Sequence, residues 1–151
     1  EFLRASTADE DFKNQTYMIL GGENIDTVMW RDLFFESLPK LKSSFHCTVA
    51  EASMVKYATN CFLSVKVAFF NQLHDMCIAN NVDFDNVISL LKLDNRIGSS
   101  HMQVPGPDGL RGFGGSCFSK DTNAFVWYSD RLSTSVSILE SAIKYNKRVR
   151  K

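Results

Sequence analysis

The sequence predicts a mainly α-helical fold, in which shorter helices pack on one long central helix and a short α/β segment comes first. Three observations lead to this prediction. No Gly or Pro interrupts residues 48–80, and apolar residues recur there at three- and four-residue steps. An apolar run at residues 17–20 ends at two glycines and precedes a second helical pattern.

The α/β segment is predicted element by element. Residues 2–13 are polar and rich in turn formers, which predicts irregular structure. Residues 17–20 predict one buried strand that ends at Gly21 and Gly22, and a helix should follow from about Asn24 until Pro39 stops it. No second strand is evident nearby, so the segment resembles the remnant of a sheet.

The long central helix should begin at Thr48. Thr48 and Glu51 fit the S/T-x-x-E capping box, in which hydroxyl and carboxylate each accept a backbone N–H. About thirty residues at 1.5 Å each give a helix of about 45 to 50 Å, longer than a compact domain of this size is wide. Its broad apolar surface predicts a homodimer formed through this helix.

The second half of the chain is predicted to be helical on either side of one long loop. Asp83 is the N-cap candidate for a helix that reaches Leu91. Residues 93–115 contain VPGPDG and GFGG, which predict a loop. Helical patterns return at about residues 120–128 and from about Ser135 to the basic end of the sequence.

Composition excludes several classes of function. The 151 residues include 17 basic and 17 acidic side chains, so no net positive charge supports binding to nucleic acid. The four cysteines lack CxxC spacing and paired histidines, which predicts neither a disulfide framework nor a metal site. No apolar run or signal sequence indicates a membrane or secreted protein, so we expect a soluble, cytoplasmic one without membrane or nucleic-acid partners.

Several residues are candidates for chemistry. Lys56 and Asn60 share one face of the long helix and could therefore act together on a ligand. The alternative is a purely structural role, in which the lysine extends to solvent and the asparagine finds its hydrogen bonds within the protein. Cys117 lies near a helix N-terminus and near Lys120, which favours the thiolate, whereas Cys61 is interpreted as a core residue, like Cys77. The GFGG glycines would let a ligand approach the backbone closely.

Five segments resemble one enzyme family. GFGGSCFSKD resembles the catalytic-cysteine motif GFGGxCFPKD of the UDP-glucose/GDP-mannose 6-dehydrogenase family, and AEASMVKYATNCFLSVKVAFFNQL resembles its central helix. EFLRAST, YMILGGE and DNRIG resemble further segments of that family, in the family's order and across most of the chain. Together these matches identify the chain as similar to its central dimerisation domain.

The resemblance implies an NAD-dependent oxidation of a nucleotide sugar. In that family the C6 alcohol becomes a carboxylate in two steps that consume two NAD+. Cys117 would be the nucleophile that carries the thiohemiacetal and thioester intermediates, and Lys56 and Asn60 would stabilise the oxyanion. Asp121 would position or deprotonate water and could pair with Lys56, while Glu1 would be the general base unless it is only a solvated carboxylate.

The resemblance also implies a fold and binding residues. Residues 1–46 would be the C-terminal remnant of an NAD-binding Rossmann domain, and residues 47–151 a helical domain like the C-terminal domain of 6-phosphogluconate dehydrogenase. Arg96 would reach the nucleotide sugar bound by the neighbouring subunit, and Lys120 would contact the cofactor. The remaining substrate-binding candidates are Phe2, Leu3, Phe113 and Gly114.

The sequence departs from the family pattern in ways that affect the expected activity. Ala5 stands where a second glutamate is common, which would impair thioester hydrolysis if that carboxylate is needed, and Ser119 replaces a proline. No GxGxxG occurs, so we expect a fragment that is inactive alone, with the Rossmann domains supplied in cis or in trans. The alternatives are a non-catalytic oligomerisation module derived from that domain and a helical domain without recoverable function.

Overall fold

The computed structural model describes Leu3 and residues 7–151. The chain divides into two compact units, Glu1–Ala58 and Thr59–Lys151. Within the described residues it forms six helices and one small parallel sheet of two strands. The mainly helical fold class predicted from the sequence is therefore confirmed.

The first unit is built around a β–α–β arrangement. Its elements are α1 (Ala8–Asn14), β1 (Tyr17–Gly21), α2 (Asn24–Ser37), β2 (Ser43–Cys47) and the first turns of α3. Strands β1 and β2 pair in parallel, with Tyr17 opposite Ser43 and Gly21 opposite Cys47. Met18, Leu38 and Leu41 form the buried core of this unit.

Two predictions for the first unit were wrong. Residues 8–14, expected to be irregular, form α1, whose first turn carries Asp9, Glu10 and Asp11 and whose last turn carries Lys13. This charge order favours a short helix through its dipole. The second strand, β2, was also missed, because SSFHC leaves Phe45 exposed and shows no clear alternation of apolar and polar residues.

Helix α3 runs over Val49–Ala79, which confirms the long uninterrupted helix. Its 31 residues correspond to about 46 Å. The capping box is present, since the Thr48 N–H donates to Glu51 Oε2 at 2.7 Å and the Glu51 N–H donates to Thr48 Oγ1 at 3.2 Å. The bond from the Thr48 N–H lowers the pKa of the Glu51 carboxyl, and so does the Thr48 hydroxyl, which donates to Glu51 Oε2 at 2.8 Å.

The second unit packs three further helices with the remainder of α3. They are α4 (Phe84–Leu91), α5 (Gly115–Arg131) and α6 (Ser137–Val149). Asp83 caps α4 as predicted, because its side chain accepts the Asn86 N–H at 3.1 Å. Helix α5 begins at Gly115 rather than at about Lys120, so its predicted start was wrong: Gly114 is the N-cap and Gly115 the first helical residue, while Gly112 and Phe113 belong to the loop.

Two apolar clusters form the core of the second unit. One joins α3 to α4 and the long loop through Phe70, Cys77, Phe84, Ile88 and Met102. The other joins α3 to α6 through Ala68, Phe113, Ala142 and Tyr145. Among the described residues, no helix is both long enough and apolar enough to cross a membrane.

Candidate functional site

Cys117 lies in the first turn of α5 with its thiol exposed. The other cysteines differ, because Cys61 and Cys77 are buried and Cys47 is partly buried. The backbone N–H groups of a helix's first turn have no partner within the helix, so they can stabilise negative charge that develops nearby. This placement suits a nucleophile.

Asp121 lies one helical turn after Cys117 and is almost completely buried, at 3% exposure. The side-chain amide of Asn60, on α3, donates to Asp121 Oδ2 at 2.5 Å. On the outer side, Lys120 Nζ lies 3.6 Å from Asp121 Oδ1 and is itself well exposed. The structure therefore brings together two of the residues that the sequence selected, although 61 positions separate them.

Cys61 lies beside this pair. Burial raises the pKa of the Cys61 thiol to about 11, and the negative charge of Asp121 acts in the same direction. Cys61 therefore stays protonated at neutral pH. Its interpretation as a core residue is confirmed by its 7% exposure.

The remaining residues selected for catalysis are placed only in part. Lys56 lies on α3, one turn before Asn60, and is partly buried, and its pairing with Asp121 stays a prediction. Glu1, Phe2 and Ala5 lie outside the described residues. Leu3 lines a cavity of about 420 Å³ in the first unit, together with Phe12 and other residues.

Arg96 lies on an exposed turn after α4. Its guanidinium pairs with Asp94, donating from Nε to Oδ1 at 2.9 Å and from Nη2 to Oδ2 at 2.5 Å. Lys66 on α3 anchors the same turn, since its Nζ donates to the carbonyls of Ile97 and Gly98 at 3.0 Å each. Partial burial lowers the pKa of Lys66.

The GFGG segment is held against α6. The Phe113 ring is buried in the cluster with Ala142 and Tyr145. A Cβ on Gly112 would overlap the Asn146 amide, and a Cβ on Gly114 would overlap the Arg150 guanidinium. The space left by these two glycines is thus occupied by the chain's own side chains, whereas no atom of the described residues lies within 4 Å of a Cβ on Gly115.

Two buried asparagines that the sequence reasoning missed hold this segment. Asn71 Oδ1 accepts the Gly112 N–H at 3.0 Å. Asn146 Oδ1 accepts the Phe113 N–H at 2.8 Å, while Asn146 Nδ2 donates to the Phe113 carbonyl at 2.9 Å. An asparagine directly after the apolar VAFF run was the available signal for Asn71, because buried amides must find partners.

An ionic link fastens the same loop to α3 and α6. Arg111 Nη2 lies 2.7 Å from Asp75 Oδ1, and Tyr145 donates its hydroxyl proton to Asp75 Oδ2 at 3.0 Å. The Arg111 guanidinium lowers the pKa of the Asp75 carboxyl. Arg150 adds contacts to the carbonyls of Arg111 and Gly112 at 3.4 Å.

The described residues offer no metal cluster, and the glycines at the end of β1 lie beside carboxylates. Among the described residues, no group of three or more His, Cys, Asp and Glu side chains could hold a metal ion. A cavity in the first unit is lined by Gly21 and Gly22 at the end of β1, but also by Glu23 and Asp26 at the start of α2. These carboxylates would repel a pyrophosphate, and the glycine spacing is not GxGxxG.

Comparison with known proteins relates the chain to one family. Residues 50–148 match the model of the UDP-glucose/GDP-mannose dehydrogenase family, central domain. The chain is 33% identical over 153 residues to a UDP-glucose 6-dehydrogenase of Rhizobium meliloti, with 97% of this chain and 33% of that protein covered. It is 32% identical over 146 residues to UDP-glucose 6-dehydrogenase YwqF of Bacillus subtilis, with 97% and 32% covered.

A solved structure supports the same relationship. The UDP-glucose dehydrogenase of the hyperthermophilic archaeon Pyrobaculum islandicum superimposes with a TM-score of 0.85 at 30% identity, and the match covers 98% of this chain and 33% of that one. The chain thus spans about one third of the length of the relatives it matches.

Proposed function

Because this chain belongs to the UDP-glucose/GDP-mannose dehydrogenase family and matches its central domain, we propose that it is the central part of an NAD-dependent nucleotide-sugar 6-dehydrogenase. Residues 47–151 would be the central dimerisation domain, and residues 1–46 would belong to the cofactor domain. The observation that carries the proposal is the hydrogen bond between Asn60 and Asp121, formed one helical turn from the exposed thiol of Cys117.

The cofactor would be bound elsewhere. NAD+ would accept the hydrides at a site formed mainly outside these residues, by a Rossmann domain joined in cis or supplied in trans. The absence of GxGxxG from the sequence and the carboxylates of Glu23 and Asp26 beside Gly21 and Gly22 support this arrangement. Lys120, exposed on α5, is the residue of this chain that we propose to contact the cofactor.

Cys117 would act on the C6 aldehyde. Its thiolate sulfur would add to C6, forming a C–S bond while the carbonyl electron pair moves to oxygen, and protonation of that oxygen gives a thiohemiacetal. This adduct would retain the aldehyde until the second oxidation makes it a thioester. Water would then add at C6, and the C–S bond would break to release the carboxylate and the Cys117 thiolate.

Lys56 and Asn60 would stabilise the oxygen at C6 as its charge develops. An amide nitrogen carries two N–H groups, and the bond to Asp121 uses one of them, so the other is available to an oxyanion. The Lys56 ammonium, one turn away on α3, would add positive charge. Asp121 would also orient the attacking water.

The remaining proposed roles concern hydrolysis and the substrate. Glu1 would be the general base for hydrolysis, a step that would be impaired if the family glutamate replaced by Ala5 is required. Arg96, on its exposed turn, would reach the nucleotide sugar of a neighbouring subunit. The other substrate-binding residues that we propose are Phe2, Leu3, Phe113 and Gly114.

The neighbouring subunit would pack along α3. Phe62, Phe69 and Met76 occur every seventh residue and are 66%, 57% and 61% exposed, so one face of the helix is apolar and open. Ile138 on α6, 75% exposed, lines surface hollows together with Phe62 and Phe69 and so continues this surface. A second copy of the chain would bury it. Sedimentation at micromolar concentration should show a dimer, and a stable monomer would refute this part of the proposal.

Thiol reactivity separates the enzyme from a non-catalytic oligomerisation module. We expect iodoacetamide to modify Cys117 faster than Cys47 under native conditions, as measured by peptide mass spectrometry, with Cys117→Ser identifying the peptide. A Cys117 that reacts no faster than Cys47 would favour the module. The isolated chain should produce no NADH from UDP-glucose or GDP-mannose with NAD+, and rapid turnover would show that the cofactor site lies within it.

A further inference from the structure

The backbone immediately before α5 determines where Cys117 stands. Gly114 is the N-cap of α5, Gly115 has φ of +78° and opens the helix, and Cys117 follows in the first turn. Residues 99–114 before it contain no helix or strand. Whatever holds residues 112 and 113 in place therefore fixes the start of α5 and the position of the thiol.

Three buried hydrogen bonds hold the backbone of Gly112 and Phe113 in place. Asn71 on α3 accepts the Gly112 N–H, and Asn146 on α6 both accepts the Phe113 N–H and donates to the Phe113 carbonyl. Asn71 is 1% exposed and Asn146 is 9% exposed, so water does not replace these bonds readily. The paired bonds of Asn146 bind both polar groups of one residue and fix its orientation as well as its position.

The two asparagines use their amide groups differently. In Asn71 the oxygen faces the loop, while Nδ2 donates at 2.9 Å to Val67 of its own helix. In Asn146 both the oxygen and the nitrogen face the loop. An Asn→Asp substitution removes the donor in either case. At residue 146 this removes a hydrogen bond to the loop, whereas at residue 71 it removes one within α3.

We propose that Asn146 is a positioning residue for the nucleophile, acting through the backbone of Phe113 to hold the N-terminus of α5 and Cys117 in their working geometry. This inference rests on the proposed function of Cys117. Aspartate at residue 146 would place a carboxylate against the Phe113 carbonyl, repelling it and releasing the segment. The first turn of α5 would then fray, and the alignment of its N–H groups with the sulfur would be lost.

Hydrogen exchange of the unaltered chain provides the first test. We expect the amide protons of Gly112 and Phe113 to exchange as slowly as those of α6, although both residues lie outside regular structure. Exchange as fast as that of Gln103, which is exposed in the same loop, would overturn the proposal. This measurement needs no variant, so it remains decisive if a variant fails to fold.

The second test compares Asn146→Asp with Asn71→Asp, which makes the same change of charge at a buried amide. At neutral pH we expect N146D to increase exchange of Phe113 by about tenfold or more, and to lower the ratio of Cys117 to Cys47 alkylation relative to the unaltered chain. N71D should leave both readouts within about twofold, because its oxygens still accept from the loop.

Acidification distinguishes positioning from a loss of overall stability. In N146D, a protonated carboxyl at residue 146 regains an O–H that can donate to the Phe113 carbonyl, so both readouts should approach those of the unaltered chain measured at the same low pH. A folded N146D with normal exchange at neutral pH, or equal effects of N146D and N71D, would refute the proposal. Neither readout requires NAD+ or a sugar, so failure of the proposed dehydrogenase activity would be seen separately.

Discussion

The side-chain amide of Asn60 donates a hydrogen bond to the buried carboxylate of Asp121 at 2.5 Å, joining α3 to α5. Asp121 is 3% exposed, so this bond contributes much of the solvation that its carboxylate loses on burial. The same bond orients the amide that we propose to face the sugar. Stability and the proposed chemistry therefore depend on one contact.

Removal of that contact should destabilise the second unit. We expect Asn60→Ala to lower the free energy of unfolding by about 1 to 3 kcal/mol, because a buried carboxylate loses a hydrogen-bond partner. Urea denaturation followed by circular dichroism measures it. The control is Asn123→Ala, which removes an exposed amide bonded to Ser119 of its own helix and should stay within about 0.5 kcal/mol. Equal effects would contradict the prediction.

Cys61 should make the fold sensitive to alkali. Burial raises the pKa of its thiol from 9.0 to about 11, so between these values the unfolded chain releases a proton that the folded chain retains. Stability should therefore fall as the pH rises through this window. In thermal melts from about pH 8 to about pH 11, Cys61→Ala should show a shallower decline than the unaltered chain, whereas an unchanged slope would disprove this linkage.

Gly112 and Gly109 form a matched pair for testing the close approach of α6. Their φ angles are +73° and +75°. A Cβ would overlap the Asn146 amide at Gly112, whereas at Gly109 it would meet no atom of the described part of the chain within 4 Å. Gly109→Ala should cost only backbone strain, about 1 to 2 kcal/mol. Gly112→Ala should cost about 1 to 3 kcal/mol more, because the amide must move and lose its bonds. Chemical denaturation compares them, and equal costs would contradict the steric explanation.

The ion pair of Asp75 with Arg111 should be lost in acid. Hydrogen bonding to Arg111 lowers the pKa of the Asp75 carboxyl, so its stabilising effect is fully present above the pKa of the unfolded chain and disappears as the pH falls through the folded value. Asp75→Asn should consequently flatten the loss of stability below about pH 4. The control Asp130→Asn changes an exposed carboxylate on α5. If both variants retain the full acid sensitivity, the prediction fails.

Most helices could be predicted from the sequence because their signals are local. The capping box of Thr48 and Glu51 and the N-cap Asp83 act within three or four residues, and the structure contains both. The uninterrupted apolar repeat likewise identified α3. Helix α1 was missed because its polar sequence has no apolar repeat and none of its residues is buried. Strand β2 was missed because it depends on pairing with β1, whose residues lie 26 positions earlier in the chain.

The sequence by itself determined the types of residue available for chemistry: a cysteine followed four positions later by an aspartate, and a lysine and an asparagine one helical turn apart. Only the tertiary structure decided which of them meet. Asn60 reaches Asp121 across the contact between α3 and α5. Positions 112 and 114 leave no room for a Cβ, because the side chains of Asn146 and Arg150 approach them from the α6 side. Such contacts depend on shape and burial between distant segments, which no local pattern encodes.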